Sequence, residues 1–150
     1  MGLFYLSGLL VLLLDRITKY LILKINYDHI ELTFFLNLVK VWNKGIAFGL
    51  FRDFSNFLNI FLILFTPLIL IMILIFARKQ PRFEQILLGC IFGGGMGNWL
   101  DRVLFGAVLD FIDFHVGKYH WPAFNIADLA ISISLIIFLV RCYVFKDFRK

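Results

Sequence analysis

Charge is scarce in this 150-residue chain, and over long stretches it is missing. Asp, Glu, Lys and Arg make up 17% of the residues, against 61% hydrophobic; a soluble domain is nearer to about 45–50% apolar. That balance excludes an ordinary soluble domain and predicts an α-helical integral membrane protein. Residues 54–77 carry no charge, and at about 1.5 Å per residue they can cross a hydrocarbon core roughly 30 Å thick. Residues 85–100 and 129–140 are also uncharged. Residues 1–14 are apolar and continue into Tyr20-Leu21-Ile22-Leu23 across the interruption Asp15-Arg16-Ile17-Thr18-Lys19. Four spans are expected, near 3–24, 56–77, 84–105 and 121–141, within one domain of residues 1–150.

Cysteine is almost absent too. Cys90 and Cys142 are the only two, both in apolar spans and expected towards opposite ends of the membrane, which argues against a disulfide or a cysteine metal site. The N-terminus lacks the basic region and the A-x-A site of a signal peptide, so the first span is expected to be retained. Leu6 stands where a myristoylation signal needs Ser or Thr, so no lipid anchor is implied. No H-E-x-x-H spacing occurs, and no metal or cofactor is expected.

The charge that is present is uneven. Lys and Arg total 15 and Asp and Glu 10, for a net +5. Seven basic residues crowd two short segments: Arg78, Lys79 and Arg82, then Arg141, Lys146, Arg149 and Lys150. They sit at membrane boundaries, which favours contact with anionic lipid over nucleic acid. The positive-inside rule then puts both termini and the second connection in the cytoplasm. The first connection, 25–55, falls on the outer face. Residues 30–42 are rich in Phe, Leu, Val and Thr and partly alternate, which predicts strands. Asn43-Lys44-Gly45 reads as a turn and residues 47–51 as a second short strand. So small a sheet is expected to rest on the bilayer surface. Residues 106–120 form a second outer connection.

Polar residues inside or beside the spans carry the chemistry. Asp110 lies in Val108-Leu109-Asp110-Phe111-Ile112-Asp113, and Asp128 in Phe124-Asn125-Ile126-Ala127-Asp128. A carboxylate near hydrocarbon is costly and faces a partner or a water-filled cavity. Two that can face each other suggest an acid and a base. With Pro122 in the first turn of the last span, Asp128 is expected roughly 9 Å into that helix. The glycines of Gly93-Gly94-Gly95-Met96-Gly97-Asn98-Trp99-Leu100-Asp101-Arg102 suit close helix packing. Asn98, Asp101 and Arg102 share one helical face, where Arg102 could pair with a carboxylate or hold a substrate carbonyl. Asp15, Thr18 and Lys19 have the same spacing, and a buried ion pair is the simpler account of them. Asp113, His115 and His120 raise a metal alternative with no recognisable ligand spacing. Ser132, Ser134 and Cys90 have no evident base.

These strings together are similar to lipoprotein signal peptidase (signal peptidase II), a family of bacterial membrane aspartyl proteases. The resemblance rests on Asp15-Arg16-Ile17-Thr18-Lys19, Asn43-Lys44-Gly45-Ile46-Ala47-Phe48-Gly49, Gly95-Met96-Gly97-Asn98-Trp99-Leu100-Asp101-Arg102, Val108-Leu109-Asp110-Phe111-Ile112 and Phe124-Asn125-Ile126-Ala127-Asp128. It implies four transmembrane helices, a small extracytoplasmic β-cradle and a short outer amphipathic segment. It implies Asp110 and Asp128 as the catalytic dyad, with Asn43, Gly45, Asn98, Arg102 and Asn125 lining the site and Asp15, Lys19 and Asp101 supporting it. The implied reaction is hydrolysis of a diacylglyceryl-modified prolipoprotein just before its lipid-modified cysteine, by a monomer in the inner membrane that globomycin blocks. The alternative is a small transporter with its Asp and Arg residues as a proton or ion path. It would need polar groups through the membrane's depth, whereas Asp101, Arg102, Asp110 and Asp128 are expected near the outer face.

Overall fold

A glycine-rich helix forms the centre of the molecule. The computed structural model describes residues 1–26, 28–44 and 55–144. Its helices are α1 (Gly2–Lys24), α2 (Ser55–Ala77), α3 (Arg82–Phe105) and α4 (Ile126–Val144), and its strands β1 (His29–Thr33), β2 (Leu36–Asn43), β3 (Val108–Val116) and β4 (Tyr119–His120). Each interior glycine costs α3 roughly 1 kcal/mol of helix propensity, offset by the approach it permits to a neighbour. A Cβ on Gly93 would collide with the Gly8 carbonyl of α1, and one on Gly94 would lie 2.7 Å from the Ala127 carbonyl of α4. A Cβ on Gly95 would sit 3.0 Å from Leu70 of α2. With four glycines spread around one stretch of helix, α3 packs against all three other helices.

Helix α2 contains Pro67 in its interior. Proline has no N–H, so the carbonyl four residues earlier, at Ile63, loses its intrahelical donor. Trp99 of α3 supplies one: its Nε1 donates to the Ile63 carbonyl at 2.9 Å. Helices α2 and α4 are long and apolar enough to cross a membrane. Helices α1 and α3 match them in length but carry charges that meet across the α1–α3 interface.

The strands form one antiparallel sheet in the order β1-β2-β3-β4. Strand β3 brings Asp110 opposite Val41 and Asp113 opposite Asn37. Leu109 and Phe111 of β3 and Ile22 of α1 form a buried cluster, against which Leu38 and Ile126 pack. The sheet is thereby fixed to the end of the helical bundle. Phe124 joins β3 as well: its carbonyl accepts from the Phe111 and Ile112 N–H groups and its own N–H donates to the Ile112 carbonyl.

The four helices fall where the apolar stretches predicted, with two corrections. Helix α4 begins at Ile126 rather than near 121, because residue 124 is drawn into the sheet and Asn125 caps the helix. Pro122 therefore precedes the helix, and Asp128 sits in its first turn instead of well inside it. The connection 106–120, to which the sequence assigns no element, contains strand β3. Cys90 and Cys142 lie towards the same end of the bundle, since α3 and α4 run antiparallel and Glu84 near the start of α3 pairs with Arg141 near the end of α4 at 3.2 Å. The expected strand at 47–51 and the Gly45 end of the turn lie outside the described residues.

Candidate active site

The start of α4 builds half of the site. Asn125 caps the helix: its Oδ1 accepts from the Asp128 N–H at 3.0 Å, while Asp128 Oδ2 accepts from the Asn125 N–H at 3.2 Å. This is the reciprocal logic of a capping box, with Asn and Asp in the two roles. The cap holds the Asp128 carboxylate beside the helix N-terminus, and Asn98 of α3 donates Nδ2 to Asp128 Oδ1 at 2.7 Å.

Strand β3 builds the other half. Asp110 is 2% exposed. Its Oδ1 accepts from Asn125 Nδ2 at 2.7 Å and its Oδ2 from Asn43 Nδ2, on β2, at 2.9 Å. Asn125 Nδ2 also lies 3.2 Å from Asn98 Oδ1. The two carboxylates are therefore joined by an amide bridge running Asp110, Asn125, Asn98, Asp128. Burial pushes the Asp110 carboxyl up to about 6 against the lowering donor from Asn43; the Asp128 charge raises it further, and Asn125 and Lys19 pull it down. A carboxyl titrating there can exchange a proton near neutral pH.

Behind the bridge lies a neutral group of four charges. Arg16 pairs with Asp15 at 2.8 Å and Asp101 at 2.6 Å, and Lys19 pairs with Asp15 at 2.9 Å and Asp101 at 2.7 Å. Asp15, Lys19 and Asp101 are at most 3% exposed. Charges buried in this way are tolerable only when paired and hydrogen-bonded on every side. The remaining acceptors are filled by backbone next to the two central aspartates. Asp15 Oδ1 accepts from the Ala127 N–H at 3.2 Å and Asp101 Oδ2 from the Leu109 N–H at 3.3 Å. Lys19 Nζ donates to Asn98 Oδ1 at 3.3 Å. The four charges thus fix the chain immediately before Asp110 and immediately before Asp128.

Asp110, Asp128, Asn43, Asn98, Asn125, Asp15, Lys19 and Asp101 all meet in this one network, and Gly45 lies outside the described residues. Of the two roles expected for Arg102, pairing with a carboxylate or holding a substrate carbonyl, the first is not seen among the described residues. Its Nη1 donates to the Asn98 carbonyl at 3.2 Å, its buried Nε has no partner, and it forms no ion pair among the described residues. Thr18 is off the polar face: its hydroxyl donates back to the Leu14 carbonyl at 2.7 Å on the exposed side of α1. Sequence reasoning missed Arg16. As the neighbour of Asp15 it shares no helical spacing with it, and only the approach of Asp101 from α3 recruits it.

Asp113 serves the sheet. Burial alone would raise its carboxyl, but donors from Asn37 at 2.9 Å and His120 hold it below the usual carboxylate range. His115 stacks on His120. No group of three or more His, Cys, Asp or Glu arranged to hold a metal ion occurs among the described residues.

A family model described as signal peptidase (SPase) II matches residues 8–144. The chain is 43% identical over 131 residues to the lipoprotein signal peptidase of Anaplasma phagocytophilum (strain HZ), spanning 86% of this chain and 84% of that protein. It is 43% identical over 142 residues to the lipoprotein signal peptidase of Aquifex aeolicus (strain VF5), spanning 93% and 85%. In three dimensions it is similar to a bacterial membrane enzyme solved by the in meso method at 2.3 Å resolution, with a TM-score of 0.85 and 32% identity over 100% of this chain and 93% of that one. The chain belongs to the signal peptidase II family.

Proposed function

We propose that this protein is an aspartic endopeptidase that removes the signal peptide from diacylglyceryl-modified prolipoproteins, cleaving just before the lipid-modified cysteine, with Asp110 and Asp128 as its catalytic pair. One observation carries the assignment of the pair: two carboxylates from different elements converge on the shared amides of Asn125 and Asn98. Asn43, Gly45, Asn98, Arg102 and Asn125 line the site in this reading, and Asp15, Lys19 and Asp101 support it.

The chemistry follows from a pair that holds one proton between its two members. The ionised carboxylate takes a proton from water as the oxygen attacks the scissile carbonyl, and the protonated one gives its proton to the carbonyl oxygen. The tetrahedral intermediate then collapses: the C–N bond breaks, the amine leaves with a proton from the pair, and the hydroxyl proton returns to it. An extended peptide at the edge of a bilayer needs donors for its carbonyls. Arg102 Nε, buried and without a partner, is suited to provide one.

The rest of the reading concerns placement. Residues 1–150 form one domain with four spans in the bacterial cytoplasmic (inner) membrane, both termini in the cytoplasm and the pair towards the outer face. Helices α1 and α3 join α2 and α4 as spans because their charges neutralise one another inside the bundle. The sheet forms the β-cradle, the enzyme acts as a monomer without a metal, and globomycin inhibits it. The transporter reading gains no support from the relatives, which are named as peptidases.

The test is cleavage of a lipid-modified prolipoprotein by the purified protein, with and without a chelator. The expected product begins at the lipidated cysteine by mass spectrometry, in equal yield with chelator present. Cleavage elsewhere, or a rate that chelator abolishes and added metal restores, overturns the proposal.

A further inference from the structure

A polar cleft lies at the junction of α2 and α3, where Lys44 follows Asn43 of the candidate active site. Its volume is about 370 Å³, and Lys44, Asn56, Asn59, Ile60, Phe105 and Gly106 line it. None of these residues holds either aspartate. Asn59 is the informative one. It is 9% exposed, and its Oδ1 has no hydrogen-bond partner. A buried amide oxygen left without a donor is unfavourable, so the cleft is built for a ligand that brings one.

The surroundings say what kind of donor. Helix α3 ends at Phe105, and its C-cap, Gly106, forms part of the wall. The last carbonyls of a helix carry partial negative charge and favour a cation. Asn56, one turn before Asn59 on α2, also lines the cleft. Lys44 adds a full positive charge to the cleft. The cleft therefore presents the unpartnered acceptor Asn59 of α2 and the carbonyl end of α3, both suited to a cationic donor, together with the positive charge of Lys44, suited to an anion. Beyond it run apolar side chains facing outward from the bundle, Leu64 at 69% and Leu104 at 64% exposed.

We propose that this cleft binds the headgroup of an ethanolamine-type phospholipid, with the phosphate at Lys44, the ammonium donating to Asn59 Oδ1, and the acyl chains along the outer faces of α2 and α3. A glycerol headgroup offers hydroxyl donors but no cation for the α3 terminus. A choline headgroup has the same charges as ethanolamine but no N–H, so it cannot satisfy Asn59. The proposal rests on the reading that this end of the bundle lies at a membrane surface, and it adds a lipid ligand to the peptidase site next to it.

Native mass spectrometry of the full chain in detergent micelles, given equal amounts of ethanolamine, glycerol and choline phospholipids, tests it. The expected result is retention of the ethanolamine lipid over the choline lipid by roughly tenfold, the weight of one hydrogen bond from a charged donor. Asn59→Leu should erase that preference, and Lys44→Gln should weaken both lipids together. Prolipoprotein cleavage in the same micelles, measured separately, reports whether the Asn59→Leu protein is folded. If it is not, Asn59→Asp, which keeps the acceptor and adds charge, should widen the preference, and an unchanged preference overturns the proposal. Equal binding of the two lipids by the unaltered protein overturns it, as does a preference that survives Asn59→Leu. One-for-one displacement of the lipid by a prolipoprotein peptide would assign the cleft to the substrate instead.

Discussion

Replacing Trp99 with Phe isolates one hydrogen bond whose purpose can be read from the backbone. Pro67 deprives the Ile63 carbonyl of its intrahelical donor, and the Trp99 indole N–H fills the gap at 2.9 Å. Phe keeps a ring in place but offers no N–H. The lost bond leaves a carbonyl without a donor in an apolar groove, a cost of about 1–3 kcal/mol by analogy with buried groups in soluble proteins. Interhelical bonds in membrane proteins average nearer to about 0.6 kcal/mol. Because the proline prevents the helix from repairing the loss, a value of about 1–2 kcal/mol is expected, between those limits. The smaller ring adds a packing loss of order 1 kcal/mol. Pro67→Ala separates the two contributions, since an alanine N–H can donate to the Ile63 carbonyl. In that background Trp99→Phe should cost only the packing part. The double-mutant cycle, measured by far-ultraviolet circular dichroism in mixed micelles of rising denaturing-detergent content, should therefore show a coupling of about 1–2 kcal/mol. Additive effects, within about 0.5 kcal/mol, would make the Trp99 contact incidental.

Further predictions concern the site and the bundle. Burial raises the Asp110 carboxyl to about 6, opposed by the Asn43 donor and aided by the Asp128 charge. The pair should lose its shared proton as pH rises through that region, so kcat/KM should fall on the alkaline side of about 6. Asn43→Ala removes a donor that favours the ionised form, so the descending limb should move to higher pH; a limb that stays or moves lower contradicts this. The same raised value predicts that Asp110's contribution to stability declines from about pH 4 to 6, because the folded state binds more protons there than the unfolded state. Gly93→Ala, whose methyl would meet the Gly8 carbonyl of α1, should lower stability by about 1–3 kcal/mol, measured in the same detergent titration. Gly2→Ala, where no atom lies within 4 Å of the added carbon, is the control and should change little.

The parts of the fold that local spacing controls were visible in the chain. Each helix is an apolar stretch, and Asn98 with Asp101, Asn125 with Asp128, and Asp15 with Lys19 share faces through helical periodicity. What escaped depends on contacts distant in sequence. Residues 108–111 of β3 are buried on both faces of the strand, so they show none of the alternation that marks a half-exposed strand. Their strand character comes from pairing with β2, some 70 residues earlier. The same pairing captures Phe124 and delays the start of α4, which shifted Asp128 from the helix interior to its first turn. Arg16 was hidden because residues adjacent in sequence do not share a helix face; Asp101 and the Gly97 carbonyl, both on α3, draw its guanidinium inwards.

If Asp110 and Asp128 act as one catalytic pair, isosteric replacement of either should abolish cleavage. Asn in either position keeps the size and much of the hydrogen bonding but cannot take up or release the proton. Initial rates of lipid-modified prolipoprotein cleavage by the purified Asp110→Asn and Asp128→Asn proteins should each fall by at least about a hundredfold, with the double variant no worse than about the weaker single one. Full activity in either single variant, or losses in the two that multiply as independent effects do, would show that Asp110 and Asp128 are not a catalytic pair.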